Sequence, residues 1–328
     1  MHKTRARLHR LLNVVVIGGL SLSVAHAAQT YPQHKPVRVL VGFTPGGAAD
    51  TAARAITRKM AESIGTGFLI DNRPGAGGNV AAETVSHSTP DGHTLFWGSV
   101  GPLSVSAALG VKLAYDPFKN FAPVGLAVTS CNILVAGAGF KGDTLSDVLS
   151  EAKARPGKLN YATQGLGSTG YLAGELLQTM AKIELTQVPY KGGAPVAAAL
   201  LGGEVELAFV SVTALKSVAA GRIKPLAVTC GQRDPGVPNV PTFAEAGVAG
   251  YEASFWYGLL APAGTSSAII GKLNQSLRAA LADESVSQPL ASLGLIAAPS
   301  SPQEFSALIR RDYEKWKRTF AGRKTPAR

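Results

Sequence analysis

The sequence predicts an α/β protein of two lobes. Three observations predict it. Apolar runs of strand length alternate with runs of helical period, the order that yields largely parallel sheets. Two Gly-rich turns, each set between such a strand and such a helix, stand about 120 residues apart. Behind an N-terminal leader, about 300 residues remain, enough for two lobes of ordinary size.

The leader comes first. Lys3, Arg5, Arg7 and Arg10 precede the 14-residue, largely apolar stretch Leu11–Val24 and the small-x-small site Ala25-His26-Ala27. This is the pattern of a secretory signal peptide cleaved near Ala27. The stretch falls short of the ~20 residues that a membrane span needs. Removing residues 1–27 takes four basic residues and no acidic one, so the formal net charge falls from +11 to +7. A mildly positive surface suits a small anion. There is no run of five basic residues and no basic patch studded with aromatics, so nucleic acid is not an expected partner.

Val37–Phe43 is a continuous apolar strand, as in a sheet covered on both faces. A helix starts near Ala49, with Ala53, Ile56, Met60 and Ile64 at helical spacing and Gly65 as its stop. Phe68–Asp71 is the next strand, followed by the turn Arg73–Asn79, a helix over Val80–Ser88 and a third strand over Thr94–Gly98. Phe121–Val135 reads as one long extended segment crossing into a second lobe. Beyond it, Leu145–Ala154 and the run through Leu172, Leu176 and Met180 read as helices. Leu159–Ala162, Thr186–Tyr190, Val205–Val210 and Leu226–Thr229 read as strands, and Pro195–Leu201 as a short helix. Phe255–Ala261 is a second extended run that returns the chain to the first lobe. Ser301-Pro-Gln-Glu304 is a capping box with Pro at the first helical position. It opens a closing helix whose stripe runs Phe305, Leu308, Ile309, Trp316, Phe320, with Asp312 its one polar member. Cys131 and Cys230 both sit in strand-like runs; spacing leaves open whether they bridge or stay two buried thiols.

The Gly-rich turns carry the chemistry. The first is Phe43-Thr44-Pro45-Gly46-Gly47-Ala48-Ala49-Asp50, and the second runs from Gln164 to Gly170. Such a turn bares backbone N–H groups and aims a helix N-terminus at one spot, which attracts an anion. Gly75–Gly78 and Ser99–Gly101 also follow strands, and ligands of open α/β sheets bind beyond the carboxyl ends of strands. Ser168 and Thr169 add hydroxyls that can donate to a carboxylate. Asp50, in the first turn of its helix, reads first as a cap or dipole partner.

Taken together, these segments resemble one family. They include Asp71-Asn-Arg-Pro-Gly-Ala-Gly-Gly-Asn79, Pro90-Asp-Gly92, Tyr115-Asp-Pro117, Pro156-Gly-Lys-Leu-Asn-Tyr161, Leu172-Ala-Gly-Glu175, Val188-Pro-Tyr-Lys-Gly192, Glu245-Ala-Gly247 and Ala261-Pro-Ala-Gly-Thr265. The family is the Bug proteins, periplasmic solute-binding proteins of tripartite tricarboxylate transporters, and the likeness covers the whole chain after the leader. It implies a type II-like periplasmic binding protein whose lobes are each a mixed, mainly parallel sheet flanked by helices. Lobe I would comprise residues 31–128 and 257–328, and lobe II residues 129–256, with a hinge near 128–134 and 255–260. It implies a non-catalytic monomer, without cofactor or metal, that captures a small carboxylate and hands it to membrane permease subunits.

By motif, the first gripping loop would be Thr44–Asp50, with Thr44, Pro45, Gly46, Gly47, Ala48 and Asp50, and the second Gln164–Thr169, with Gln164, Gly165, Gly167, Ser168 and Thr169; Gly77 and Ser99, at turns that follow strands, and Phe43, Tyr171 and Val210 complete the expected ligand-binding set. Phe43, Tyr171, Val210 and Trp256 would wall the cleft, though each reads equally as core. The chain departs from the family pattern at Ala48 and Ala49, where Gly and Thr are usual. Tyr171 stands where His is frequent, and Val210 where Asp is common. The last change removes a negative charge and turns the expectation from an amino acid toward a plain carboxylate or dicarboxylate, aromatic bodies included.

Rival readings lack parts. Gly165-Leu-Gly-Ser-Thr-Gly170 spells the dinucleotide fingerprint, but the next strand ends Pro189-Tyr190-Lys191 without the ribose-binding acid. Only a weaker reading, an NADP-binding oxidoreductase with Lys191 at a 2′-phosphate, survives that test. A P-loop fails because no Gly-Lys-Ser/Thr follows either turn. Hydrolase chemistry lacks a G-x-S-x-G elbow, and the chain has no histidine after His93.

Overall fold

The computed structural model describes residues 31–32, 35–163, 168–190, 193–212 and 223–321. Two mixed sheets, each flanked by helices, organise these residues. The first is ordered β11-β4-β10-β3-β1-β2 and the second β7-β6-β8-β5-β9. In the first, β1 (Val37–Val41) pairs in parallel with β2 (Phe68–Asn72) and β3 (Thr94–Ser99). In the second, β6 (Asn160–Thr163) pairs in parallel with β7 (Thr186–Pro189) and β8 (Leu207–Ser211).

The sheets are less parallel than the sequence predicts. β4 (Phe121–Ser130) runs antiparallel to both β10 (Phe255–Pro262) and β11 (Leu295–Ala297), and β10 runs antiparallel to β3. In the second sheet β5 (Asn132–Ala136) runs antiparallel to β8 and to β9 (Lys224–Val228). The reason is connectivity: the segments that leave one sheet and return from the other run against their neighbours. The long extended run expected over residues 121–135 is therefore two strands in two sheets, and Cys131 alone separates them.

Helix α1 (Ala48–Ile64) buries Ala52, Ala53, Ile56 and Met60 under β1 and stops at Gly65, whose φ of 81° suits the left-handed C-cap. α2 (Asn79–Ser86) follows β2, and a π turn over Gly101–Val105 leads into α3 (Ser106–Ala108) after β3. α4 (Leu145–Ala154), α5 (Thr169–Ala181) and α6 (Gly193–Gly202) flank the second sheet. α7 (Ser267–Ala282) and α8 (Glu284–Ser292) had no counterpart in the sequence reading, although Ser266 caps α7 and Ile270, Leu273 and Leu277 bury its apolar stripe.

α9 (Pro302–Phe320) opens on the expected capping box, with Ser301 and Glu304 bonding each other's backbone N–H. Its one polar stripe residue has a structural reason. Asp312 is buried, accepts a 2.7 Å bond from Trp256 Nε1 and pairs with Lys315 at 2.8 Å. An indole N–H taken out of water needs such a partner. Trp256 is thereby a core residue, 2% exposed and edge-on to Phe305, the core alternative of the two readings its sequence position allows. The two cysteines are joined as a disulfide, with their Cα atoms 5.4 Å apart.

Candidate functional site

β1, β2 and β3 are parallel neighbours, so their carboxyl ends share one edge and their βα turns lie side by side. Glycine brings those turns together. A Cβ on Gly42 would sit 2.6 Å from Gly78 Cα, so only glycine permits the approach. β1 ends at Val41, short of the expected Phe43, because the backbone turns at that contact. Gly77 and Gly78 hold φ of 66° and 100°, and the Gly77 carbonyl lies beside Gly101 at the third turn.

Asn72 and Asp50 lock this cluster. Asn72 Nδ2 donates to the Phe43 carbonyl at 3.0 Å and to Asp50 Oδ1 at 2.9 Å. Asp50 is 3% exposed, accepts from Arg54 Nε at 3.0 Å, and takes the Gly46 N–H at 3.0 Å. Burial alone pushes the Asp50 carboxyl up. The hydrogen bonds from Arg54, the Gly46 amide and Asn72 outweigh burial and hold it below the usual carboxylate range. Asp50 lies in the first turn of α1, with its oxygens taken up by the Gly46 amide, Asn72 and Arg54.

Thr44, Pro45, Gly46, Gly47 and Ala48 are all exposed. Gly46 spends its amide on Asp50 and needs its φ of 82° to do so. Gly47 is the N-cap of α1 and supplies no side chain, so among the described residues no side chain caps the first-turn amides, which the helix itself leaves unpaired. α2 is likewise capped by a glycine, Gly78. Helices α4, α7, α8 and α9 instead carry side-chain caps, from Thr144, Ser266, Asp283 and Ser301. Phe43 is half-buried, edge-on to Tyr257 at 6.1 Å, and Tyr257 stacks on Trp97. Burial pushes the Tyr257 hydroxyl up to about 12, so it is a neutral donor at physiological pH. Ser99 is buried and opposes Tyr257 in the ladder.

The second sheet offers a matching edge. β4 runs in the direction of β3, so Ser130 ends at the edge that holds the first turns. One residue later Asn132 opens β5, opposite Ser211 at the carboxyl end of β8, which runs parallel to β6. The carboxyl edges of both sheets therefore adjoin at Cys131. Ser168 caps α5 by accepting from Tyr171 N at 3.2 Å. Thr169 is exposed, and its Oγ1 accepts from Asn132 Nδ2 at 3.0 Å. Val210 is half-buried at the end of β8 and packs on the apolar cluster of that sheet. Tyr171, at 5% exposure, belongs to the core. Gln164, Gly165 and Gly167 lie outside the described residues.

Sequence reading missed Asn132 and Tyr257. A single buried amide in the apolar run Cys131–Ala136 was the available signal for the first; nothing in the sequence marks the second. Two surface depressions of about 710 and 830 Å³ lie along α9 and share no residue with the glycine turns.

Comparison with known proteins identifies the family. Residues 52–324 match the model of the tripartite tricarboxylate transporter family receptor. BugT of Bordetella pertussis is 32% identical over 311 residues, covering 94% of this chain and 95% of that protein. Two solved structures from Rhodopseudomonas palustris are 36% identical to this chain. MatC with bound malate has a TM-score of 0.73 and covers 87% of this chain and 98% of its own. Rpa4515 with adipate has a TM-score of 0.75 and covers 89% and 97%. The matched family is one of transporter receptors, not enzymes, and nothing favours the dinucleotide reading. The chain belongs to the tripartite tricarboxylate transporter receptor family, the two-lobed Bug-type solute-binding proteins.

Proposed function

We propose that this receptor captures a plain carboxylate or dicarboxylate with an apolar body and delivers it to the permease subunits of a tripartite transporter. The observation that carries the reading is the glycine-capped N-terminus of α1, which opens from the exposed turn Thr44–Ala48 at the edge that adjoins Asn132 and Thr169. An anion there completes an unfinished helix cap and meets the positive end of the dipole. The turns Thr44–Ala48 and Gln164–Thr169 act as two jaws, with Gly77 and Ser99 behind the first. Phe43 and Val210 border the ligand's body. Malate and adipate in the relatives support the ligand class.

Residues 31–128 and 257–328 form one closing body and residues 129–256 the other, pivoting near 128–134 and 255–260. Closure is favoured by the ligand's greater affinity for the state in which both jaws reach it. The mature protein is a periplasmic monomer cut near Ala27; mass spectrometry of the exported chain reads the new N-terminus directly.

The deciding experiment is a thermal-shift screen followed by calorimetry with malate, succinate, adipate, benzoate, aspartate and glutamate. A ligand at 100 times its Kd adds about 2.7 kcal/mol to the native state. Plain acids are expected to raise Tm and the amino acids to leave it unchanged, because Val210 offers nothing to an ammonium group. Tight binding of aspartate or glutamate with none of the plain acids would overturn the reading.

A further inference from the structure

We propose that Asn132 is a positioning residue for ligand capture: its side-chain amide sets the direction of the Thr169 hydroxyl proton, and the Cys131–Cys230 disulfide seats it. The inference rests on the reading that Thr169 faces the carboxylate.

Asn132 is buried, at 6% exposure, although it opens an apolar strand. Its backbone is held twice by Thr229. The Asn132 N–H donates to Thr229 Oγ1 at 2.9 Å, and the Thr229 N–H donates to the Asn132 carbonyl at 2.8 Å. Each partner is followed or preceded by a cysteine of the disulfide, so the pair 131–132 is clamped to the pair 229–230 by one covalent link and two hydrogen bonds. From that seat Asn132 Nδ2 reaches Thr169 Oγ1 at 3.0 Å.

The chemistry follows from what each group can do. An amide nitrogen only donates, while a hydroxyl has one proton and two acceptor positions. With Asn132 filling one acceptor position, the Thr169 proton turns away from it, toward the solvent side where Thr169 is exposed. A proton aimed outward suits a carboxylate guest. An aspartate at 132 would reverse the bond, draw the proton inward and add a negative charge behind the jaw. The Asn at 132 therefore sets the sign of the contact, and the disulfide keeps it from drifting as the lobes move.

The test is calorimetry with malate and adipate on wild type, Thr169→Val, Asn132→Ala, Asn132→Asp and the Asn132→Ala/Thr169→Val double variant, with melts to establish that each is folded. A hydrogen bond to a charged group corresponds to roughly a tenfold loss or more when removed. Thr169→Val should lose about that much, and Thr169→Ser should restore it. Asn132→Ala should weaken binding in wild type but add nothing in the Thr169→Val background, and Asn132→Asp should be worse than Asn132→Ala. Cys131→Ser/Cys230→Ser should weaken wild type severalfold and leave Asn132→Ala unmoved. Additive losses in the double variant, or wild-type affinity in Asn132→Asp, would overturn the inference alone. If Asn132→Ala does not fold, the near-isosteric Asn132→Asp decides by the same criterion. Wild type that binds no acid of the panel would overturn the underlying reading as well.

Discussion

The two glycine turns look alike in sequence, yet the structure finishes them differently. After β1, the N-cap is Gly47, with no side chain, and the donors on offer are backbone amides. After β6, the N-cap is Ser168, whose hydroxyl already serves Tyr171 N, and the donor on offer is the Thr169 hydroxyl backed by Asn132. The first turn leaves its helix without a side-chain cap, the position the proposed guest would complete. The second supplies its own cap and offers a side chain beside it. One sequence pattern thus yields two kinds of helix start, one capped by a glycine and one by a serine, and the proposed anion contacts differ accordingly.

The sharpest way to break the comparison is to fill the first jaw. Gly47 has ordinary extended torsions, φ −77° and ψ 169°, and a Cβ there would meet only the Thr44 carbonyl at 3.7 Å. Gly47→Leu should therefore fold normally while its side chain covers the amides. Affinity for the best acid of the panel is expected to fall about a hundredfold or more, the loss of two charge-assisted bonds, with Tm of the ligand-free protein nearly unchanged. Normal binding in calorimetry would show that the amides of this turn are not contacts.

A second test concerns what shapes that jaw. Asp50 joins the Gly46 amide, Asn72 and Arg54, so Asp50→Asn should weaken the turn without touching the second jaw. Arg54 is half exposed, which makes its ion pair a small contributor, and the bonds to Gly46 and Asn72 carry most of the effect. The expected cost is about 1–3 kcal/mol of stability, read by denaturant melts. The pH dependence has a definite sign. The folded carboxyl ionises below its ordinary value of 3.8. Its contribution is complete above that value and is lost as pH falls through the lower folded one. Wild type should lose stability on acidification below about pH 4 more steeply than Asp50→Asn. Equal acid slopes would remove Asp50 from the account.

Much of this was legible before any coordinates. The alternation of strands and helices, the Gly65 stop, the capping box at Ser301 and the glycine turns after β1 and β2 follow from local rules that tertiary context does not overturn. The division of residues 121–135 was not legible, because both halves are apolar and extended and periodicity does not say which sheet a strand joins. Trp256 and Tyr171 were ambiguous for a related reason: an aromatic ring reads the same whether it lines a cleft or fills a core. The fate of the Gly46 amide depends on a carboxylate four residues on turning back, which spacing permits without requiring. Asn132 escaped because its partners, Thr169 and Thr229, are 37 and 97 residues away.

The smallest effects come from exchanging the caps, and they test the comparison most directly. Ser168→Ala removes the hydroxyl that α5 uses for Tyr171 N. Loss of such a cap costs about 1 kcal/mol, so the variant should melt slightly earlier. Gly47→Ser makes the opposite change. It gives α1 the side-chain cap it lacks, at a position with room for it, and should stabilise by a few tenths of a kcal/mol. The same hydroxyl then occupies an amide that the guest would use, so Gly47→Ser should gain stability and lose affinity together. That opposed pair of signs is what a helix end reserved for an anion requires. A Gly47→Ser protein that is both more stable and fully competent to bind would mean that its amides face nothing but solvent.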